Sequence, residues 1–528
     1  MAHRTAIGRR RRTVYCVLAA GAVAALVAAP AGAGARKAHS HRQHAAQADA
    51  TPIPKAKGPI PITRDSRVFT VGGTDLEANG YTLDEYFISG KANVYDWGSD
   101  GKAATPRVRT AGAPYKTRIV VRRPKRTNQF SGNVWVELNN PSRAYDAEIQ
   151  WPAVQQKFMR DGDIHIGLTV KPISIAALKR FDADRYGPLS MANPLPPGDQ
   201  SCGSLPGDPG YNENTSKLYE NGLAWDIVSQ VGALLRSRGD GNPLGKYKVR
   251  RVYATGESQT AFYLDTYVNN FAARARLSNG GPVYDGYVSV SGAGRPNPIN
   301  QCVPATTVGD PRSELPAKHE PFMRIDSQSE PFALGGLQWR RADSDAPKAG
   351  YRLYEIAGAA HGWGELANYD VPQADVRAAG AQPLLYNECV EPRWNSLPRQ
   401  YIEPAMYSNM QRWVDDGRRP PHADRLALTA DGTKFEKDQF GNVLGGVRNP
   451  YVDVPIATYY ETATGGAFCG VLGHQDDFGS GQLQSLYVTR QNYVAKVVEA
   501  TARMRRARFV EPADAKEIVQ EARYTRIP

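Results

Sequence analysis

Residues 249–271 read VRRVYATGESQTAFYLDTYVNNF, and this stretch decides the fold. Residues 249–254 have the short apolar run of a buried strand, and residues 259–270 carry Phe262, Leu264 and Tyr267 as a helix, with Phe271 just beyond. Between them sits Gly256-Glu257-Ser258-Gln259-Thr260. A strand that turns so sharply into a helix pushes the central side chain out above the sheet, which is the geometry of a nucleophile elbow. Gly256 suits the turn because a Cβ there would meet neighbouring backbone. Ser258 itself is expected to sit in a strained conformation costing roughly 1–3 kcal/mol. The helix start directs N–H groups and a positive dipole end at the space above it. Thr260 stands where the usual pattern has a second glycine. A bare G-x-S-x-T match equally describes a helix-capping serine; the flanking strand and helix separate the two readings.

A serine hydroxyl is a weak nucleophile near neutral pH and needs a base within hydrogen-bond reach. In a fold of this kind the base follows the last strand. His361 does so, after a strand expected at 351–356 and the small residues Ala357-Gly358-Ala359-Ala360. His165 lies within an apolar strand, His319 precedes a strand, and His422 and His474 fall in polar segments. The acid that orients the base comes from Arg324-Ile325-Asp326-Ser327-Gln328-Ser329-Glu330. Asp326 is close to the strand itself, whereas Glu330 sits where the loop has emerged, so Glu330 is preferred and Asp326 is the alternative. One oxyanion donor is the backbone N–H of Gln259; the second is expected from Asn139 or Asn140 in the loop after an early strand, where Pro141 has no N–H to give. Trp151, Tyr263 and Trp363 are candidates to line a substrate pocket, with plain core packing as the alternative for each.

Working outward, strand-like and helix-like segments alternate, the pattern of a mostly parallel sheet covered by helices. Strands are expected at 117–121, 134–138, 164–170, 287–290 and 322–326. Helices are expected at 151–160, around 223–235, at 483–506 and at 514–522. Residues 172–220 are rich in Pro and Gly and read as an irregular insertion near the mouth of a site. Residues 63–425 then form the catalytic domain, and 426–528 a C-terminal extension packed on it.

The chain has 528 residues and a formal charge of +12, but residues 1–50 hold eight Lys and Arg against one Asp, so the remainder is near +5. No dense basic run with interleaved aromatics follows Arg42, so nucleic acid is not an expected partner. Arginines at 9–12, an apolar run over 14–29 and small residues to Ala35 have the three parts of an export signal over residues 1–35, compatible with either a general or a twin-arginine route. That run is short and weak for spanning a bilayer, so no membrane insertion is expected once it is cleaved. Residues 36–62 read as a flexible tether, and His39, His41 and His44 within it as a solvated tail rather than a metal site. Cys202, Cys302, Cys389 and Cys469 remain, an even number in a chain bound for an oxidising compartment. Two disulfides are expected, with three possible connectivities. No CxxC pair is present, and neither a metal nor an organic cofactor is called for.

The chain resembles the α/β-hydrolase domain proteins, bacterial enzymes regarded mostly as esterases. The resemblance rests on VWVELNN (134–140), WDIVSQVGALLR (225–236), GESQT (256–260), SQSE (327–330), AGAAH (357–361) and GGVRNPYVDVP (445–455). It implies an α/β-hydrolase fold, a triad of Ser258, Glu330 and His361, and a C-terminal hundred residues belonging to the same unit. An aspartate often follows the acid by two positions in relatives; Phe332 stands there in this chain. The expectation is therefore a secreted serine hydrolase acting on a small carboxylic ester. An acyltransferase using the same residues, and a secreted binding protein without chemistry, are the alternatives.

Overall fold

The computed structural model describes residues 50–196, 202–204, 213, 216–239, 241–362, 369–383, 389–391, 393–466 and 468–528. Residues 48–528 form one compact unit. Its centre is a nine-stranded sheet of order β1-β2-β3-β5-β4-β6-β7-β8-β9. The strands are β1 (Lys55–Lys57), β2 (Tyr81–Asp96), β3 (Arg107–Pro124), β4 (Asn133–Leu138), β5 (Ile164–Leu168), β6 (Arg251–Glu257), β7 (Gly286–Val290), β8 (Phe322–Asp326) and β9 (Tyr351–Glu355). From β5 through β9 every neighbouring pair is parallel, while β1, β2 and β3 add an antiparallel edge. The parallel strands are buried along almost their whole length, as expected for a sheet with helices on both faces.

The strand order reverses around β4. The chain leaves β4 through the helix Gln150–Asp161 to reach β5 on one side, then returns through Ala224–Arg236 to lay β6 on the other. Such a switch point opens a crevice beyond the carboxyl ends of the strands. Register fixes what meets there: Leu138 pairs with Gly256, Glu257 with Val290, Val290 with Ile325, and Asp326 with Glu355. The loops after β4, β6, β8 and β9 therefore emerge side by side.

The antiparallel edge is tied down by buried charge. Arg118 is fully buried and pairs with Glu85 at 2.7 Å and Asp146 at 2.8 Å. Glu85 also takes Arg185 at 2.7 Å, and Arg122 pairs with Glu148 at 3.1 Å. Removing one partner from such a cluster strands a buried charge, which costs about 3–5 kcal/mol.

Three expectations from sequence need correction. The tether ends before residue 62, because Lys55–Lys57 pairs with Phe87–Ser89 as β1. The insertion is less irregular than its composition implies: Pro172 occupies the first turn of a helix, Pro172–Phe181, where its missing N–H is harmless. The long C-terminal helix expected at 483–506 is two, Ser480–Tyr487 and Arg490–Arg506, broken at Val488 with φ 62° and restarted by Thr489, whose side chain accepts from the Asn492 N–H.

Residues beyond 425 are bonded into the sheet's end. Val447 exchanges backbone hydrogen bonds with Glu355 and Ala357, and Asn449 Nδ2 donates to the Ala357 carbonyl at 2.9 Å. A small hairpin, β10 (Ala457–Tyr460) and β11 (His474–Asp477), follows. Among the described residues no helix is long and apolar enough to cross a membrane. The cysteines pair as Cys202–Cys302 and Cys389–Cys469, with Cα separations of 5.3 and 5.6 Å. Peptide mapping without reductant is expected to recover these two linked pairs; any other pairing, or free thiols at these positions, contradicts the structure.

Candidate active site

Ser258 has φ 55° and ψ −120°, outside every region an L-residue prefers. Its neighbours hold it there. The Ser258 N–H donates to the Val290 carbonyl at 2.9 Å, and its own carbonyl accepts from Ala261 and Phe262 as the helix Gln259–Asn270 begins. A Cβ on Gly256 would lie 2.6 Å from the Thr260 carbonyl oxygen, so only glycine lets strand and helix approach this closely. Thr260 fits the fifth position because its hydroxyl turns back on the elbow. Its Oγ1 donates to the Glu257 carbonyl at 3.0 Å and accepts from the Glu257 N–H at 3.2 Å.

Across the crevice, His361 Nε2 lies 3.0 Å from Ser258 Oγ and Nδ1 lies 2.5 Å from Glu330 Oε1. With the ring protonated on Nδ1, the imidazole donates to the carboxylate and accepts from the serine hydroxyl. Glu330 is wholly buried while the histidine side chain is 14% exposed, so the series runs from protein interior to the crevice. The second Glu330 oxygen accepts from the Ser327 N–H. Burial alone would raise the pKa of Glu330; the hydrogen bond and charge of His361 outweigh it and hold the carboxyl below its usual range. Asp326 is turned elsewhere. Its oxygens take Arg324 Nε at 2.7 Å and the Ala293 N–H at 3.3 Å, and burial raises its pKa.

Gln259 is the first residue of its helix, where an N–H has no acceptor within the helix. The second oxyanion donor expected from Asn139 or Asn140 does not come from their main chain. The Asn139 N–H donates to Leu168 and the Asn140 N–H to Ala147, because the chain folds back on itself through an Asn140–Ala147 bridge. Their side chains brace the site instead. Asn139 Nδ2 donates to Asp146 at 2.9 Å, and Asn140 Nδ2 donates to the Glu257 carbonyl at 2.8 Å, under the elbow.

Two of the three aromatic candidates are enclosed. Trp151 is 1% exposed, covered by the Arg122 guanidinium 4.7 Å from its ring and by His165 at 5.1 Å, so it belongs to the core. Tyr263 is also 1% exposed; it stacks on Trp225, and its hydroxyl accepts from Lys171 Nζ at 2.7 Å. Burial draws the Lys171 pKa down to about 7. Trp363 lies outside the described residues, as do the histidines at 39, 41 and 44.

Several groups around the site escaped the sequence reading. Ser329 Oγ accepts the His361 N–H at 3.1 Å and donates to the Glu461 carbonyl at 2.6 Å, linking the His361 loop, the Glu330 loop and the C-terminal region. The Gly362 N–H donates to the Val471 carbonyl at 3.0 Å, and Asn395 Nδ2 donates to the Gly358 carbonyl at 2.7 Å. Arg399 donates to the His361 carbonyl at 2.6 Å. Ser329, the second serine of SQSE, was visible as part of a motif; Asn395 and Arg399 had no local signal.

Solved structures with some similarity include a siderophore hydrolase from Aspergillus nidulans, 13% identical over 51% of this chain and 74% of its own, with a TM-score of 0.25. A lipase/esterase from Lactobacillus plantarum is 12% identical over 47% of this chain and 89% of its own, TM-score 0.25. An esterase B from Lactobacillus rhamnosis is 8% identical over 53% of this chain and 79% of its own, TM-score 0.25. Likeness this distant transfers no activity. No curated protein matches the chain. The pattern of the family described as an alpha/beta hydrolase domain matches residues 56–520, nearly the whole of the sheet, its helices and the C-terminal region together. The chain belongs to that alpha/beta hydrolase domain family.

Proposed function

We propose that the protein is an exported serine hydrolase that cleaves carboxylic esters through an acyl-enzyme. The observation that carries this reading is the hydrogen-bonded series from Ser258 Oγ through His361 to Glu330. Ser258 attacks the ester carbonyl while His361 Nε2 takes its proton. Glu330 holds the ring in the Nδ1–H tautomer and stabilises the imidazolium that forms. The Gln259 N–H faces the oxygen on which negative charge develops. His361 then returns the proton to the leaving alcohol. Water, deprotonated by the same imidazole, releases the acid and regenerates the serine. A small-molecule ester is the substrate class. The arginine-led apolar run at residues 9–29 and the two disulfides support export. Residues 426–528 act as part of the same catalytic unit, given their bonds to the loop that carries His361.

Ser258→Ala is expected to lower kcat for a nitrophenyl ester by about 10⁴-fold or more and to abolish labelling by a fluorophosphonate. Persistent labelling of the variant would remove Ser258 from the role. The two carboxylates divide in a second experiment. Glu330→Ala should reduce kcat by about 10²–10⁴-fold. Asp326→Ala should instead lower the melting temperature by leaving Arg324 buried without its partner, with kcat of the folded fraction kept within about threefold. The reverse pattern would make Asp326 the orienting acid.

A further inference from the structure

Arg399 opens the single 3-10 turn Arg399–Tyr401 before the helix Glu403–Asp416 and is 1% exposed. Its guanidinium reaches three parts of the site at once. Nη1 donates to the His361 carbonyl at 2.6 Å. Nη2 donates to Ser291 Oγ at 3.2 Å and to Glu257 Oε1 at 3.3 Å. Nε donates to Glu403 Oε1 at 2.5 Å, four residues along the chain. Glu257 immediately precedes Ser258, and Ser291 follows Val290, whose carbonyl receives the Ser258 N–H. One planar cation thus touches the main chain of the base and both sides of the elbow. Burial works against its charge, but Glu403 and Glu257 outweigh that and raise its pKa, so it remains a cation.

The loop it grips is held through its main chain: Val447 and Asn449 bond Ala357, Gln328 and Asn395 bond Gly358, and Val471 bonds Gly362. Ala357-Gly358-Ala359-Ala360 offers no side chain long enough to anchor His361, and at His361 itself Ser329 takes the N–H and Arg399 the carbonyl. A displacement of the ring by about 1 Å is enough to cost orders of magnitude in rate. A lysine would keep the charge but could not spread donors in one plane toward all these acceptors.

We propose that Arg399 is a positioning residue for this reaction, clamping the His361 carbonyl to Glu257 and Ser291 so that the imidazole stays within reach of Ser258 Oγ. The proposal rests on the triad reading above, and Arg399 itself touches neither substrate nor reacting atoms. Arg399→Lys in the full chain is expected to lower kcat for a nitrophenyl ester by about 10- to 100-fold. KM should stay within about twofold, and the rate of fluorophosphonate labelling should fall in parallel. In a His361→Ala background the same substitution should change residual turnover by less than about twofold, since the group it positions is gone. Should Arg399→Lys not fold, Glu403→Gln, which keeps an acceptor for Nε but removes its negative charge, is expected to give a smaller loss with the same dependence on His361. An equal loss in both backgrounds, or a lowered melting temperature with kcat intact, overturns the clamp. A wild-type chain that is not labelled at Ser258, or a His361→Ala variant as fast as wild type, refutes the triad and the clamp with it. Labelled wild type beside a fully active Arg399→Lys refutes the clamp alone.

Discussion

Ser258 holds a backbone conformation that an isolated serine avoids, and the rest of the molecule is arranged to make it tolerable. The strain of roughly 1–3 kcal/mol is small beside what surrounds it. Val290 accepts its N–H, Gly256 removes the atom that would block the turn, and Thr260 ties the preceding residue to the helix. In return the hydroxyl stands clear of the sheet at the start of a helix, where the first N–H groups lack acceptors. A serine in an ordinary strand or helix would present neither the exposed oxygen nor the adjacent donors.

Placement of the other groups follows from sheet register rather than from local sequence. Once Gly256 pairs with Leu138 and Glu257 with Val290, the loops after four parallel strands open onto one edge. In the loop carrying His361, small residues let the chain fold over the sheet but offer no side chain to fix it. Its backbone is held from outside: Val447 and Asn449 at Ala357, Asn395 at Gly358, Ser329 and Arg399 at His361, Val471 at Gly362. Five of these six holding residues lie between 395 and 471. This is a physical reason for the family pattern to extend to residue 520 instead of ending with the last sheet strand.

The parts legible in the sequence were those whose signal is local. A buried strand, a glycine and an amphipathic helix in succession place β6, the elbow and Ser258. A carboxylate just past β8 and a histidine just past β9 follow from strand order. The antiparallel edge was harder to see. β2 and β3 run for 16 and 18 residues, but Glu85 and Arg118 are buried within them as a pair and Arg122 against Glu148, and buried charges erase the alternation by which a strand is read. Proline and glycine content makes residues 172–220 read as irregular, yet Pro172 opens a helix, where its missing N–H costs nothing. Asn139 and Asn140 follow from loop position, but only the folded chain shows their N–H groups to be occupied, by Leu168 and Ala147. Arg399 depends on partners from three distant segments, which no window on the chain brings together.

The central claim is that Ser258 carries the acyl group between the two halves of the reaction. Mass spectrometry of the protein quenched in acid during steady turnover of a nitrophenyl ester tests it most directly. The account predicts a species heavier by one acyl group, with the added mass confined to the peptide that contains Ser258 and lost again once substrate is exhausted. Sustained turnover with no acylated species under conditions where acyl release limits the rate, or an acyl group on another residue, would contradict it.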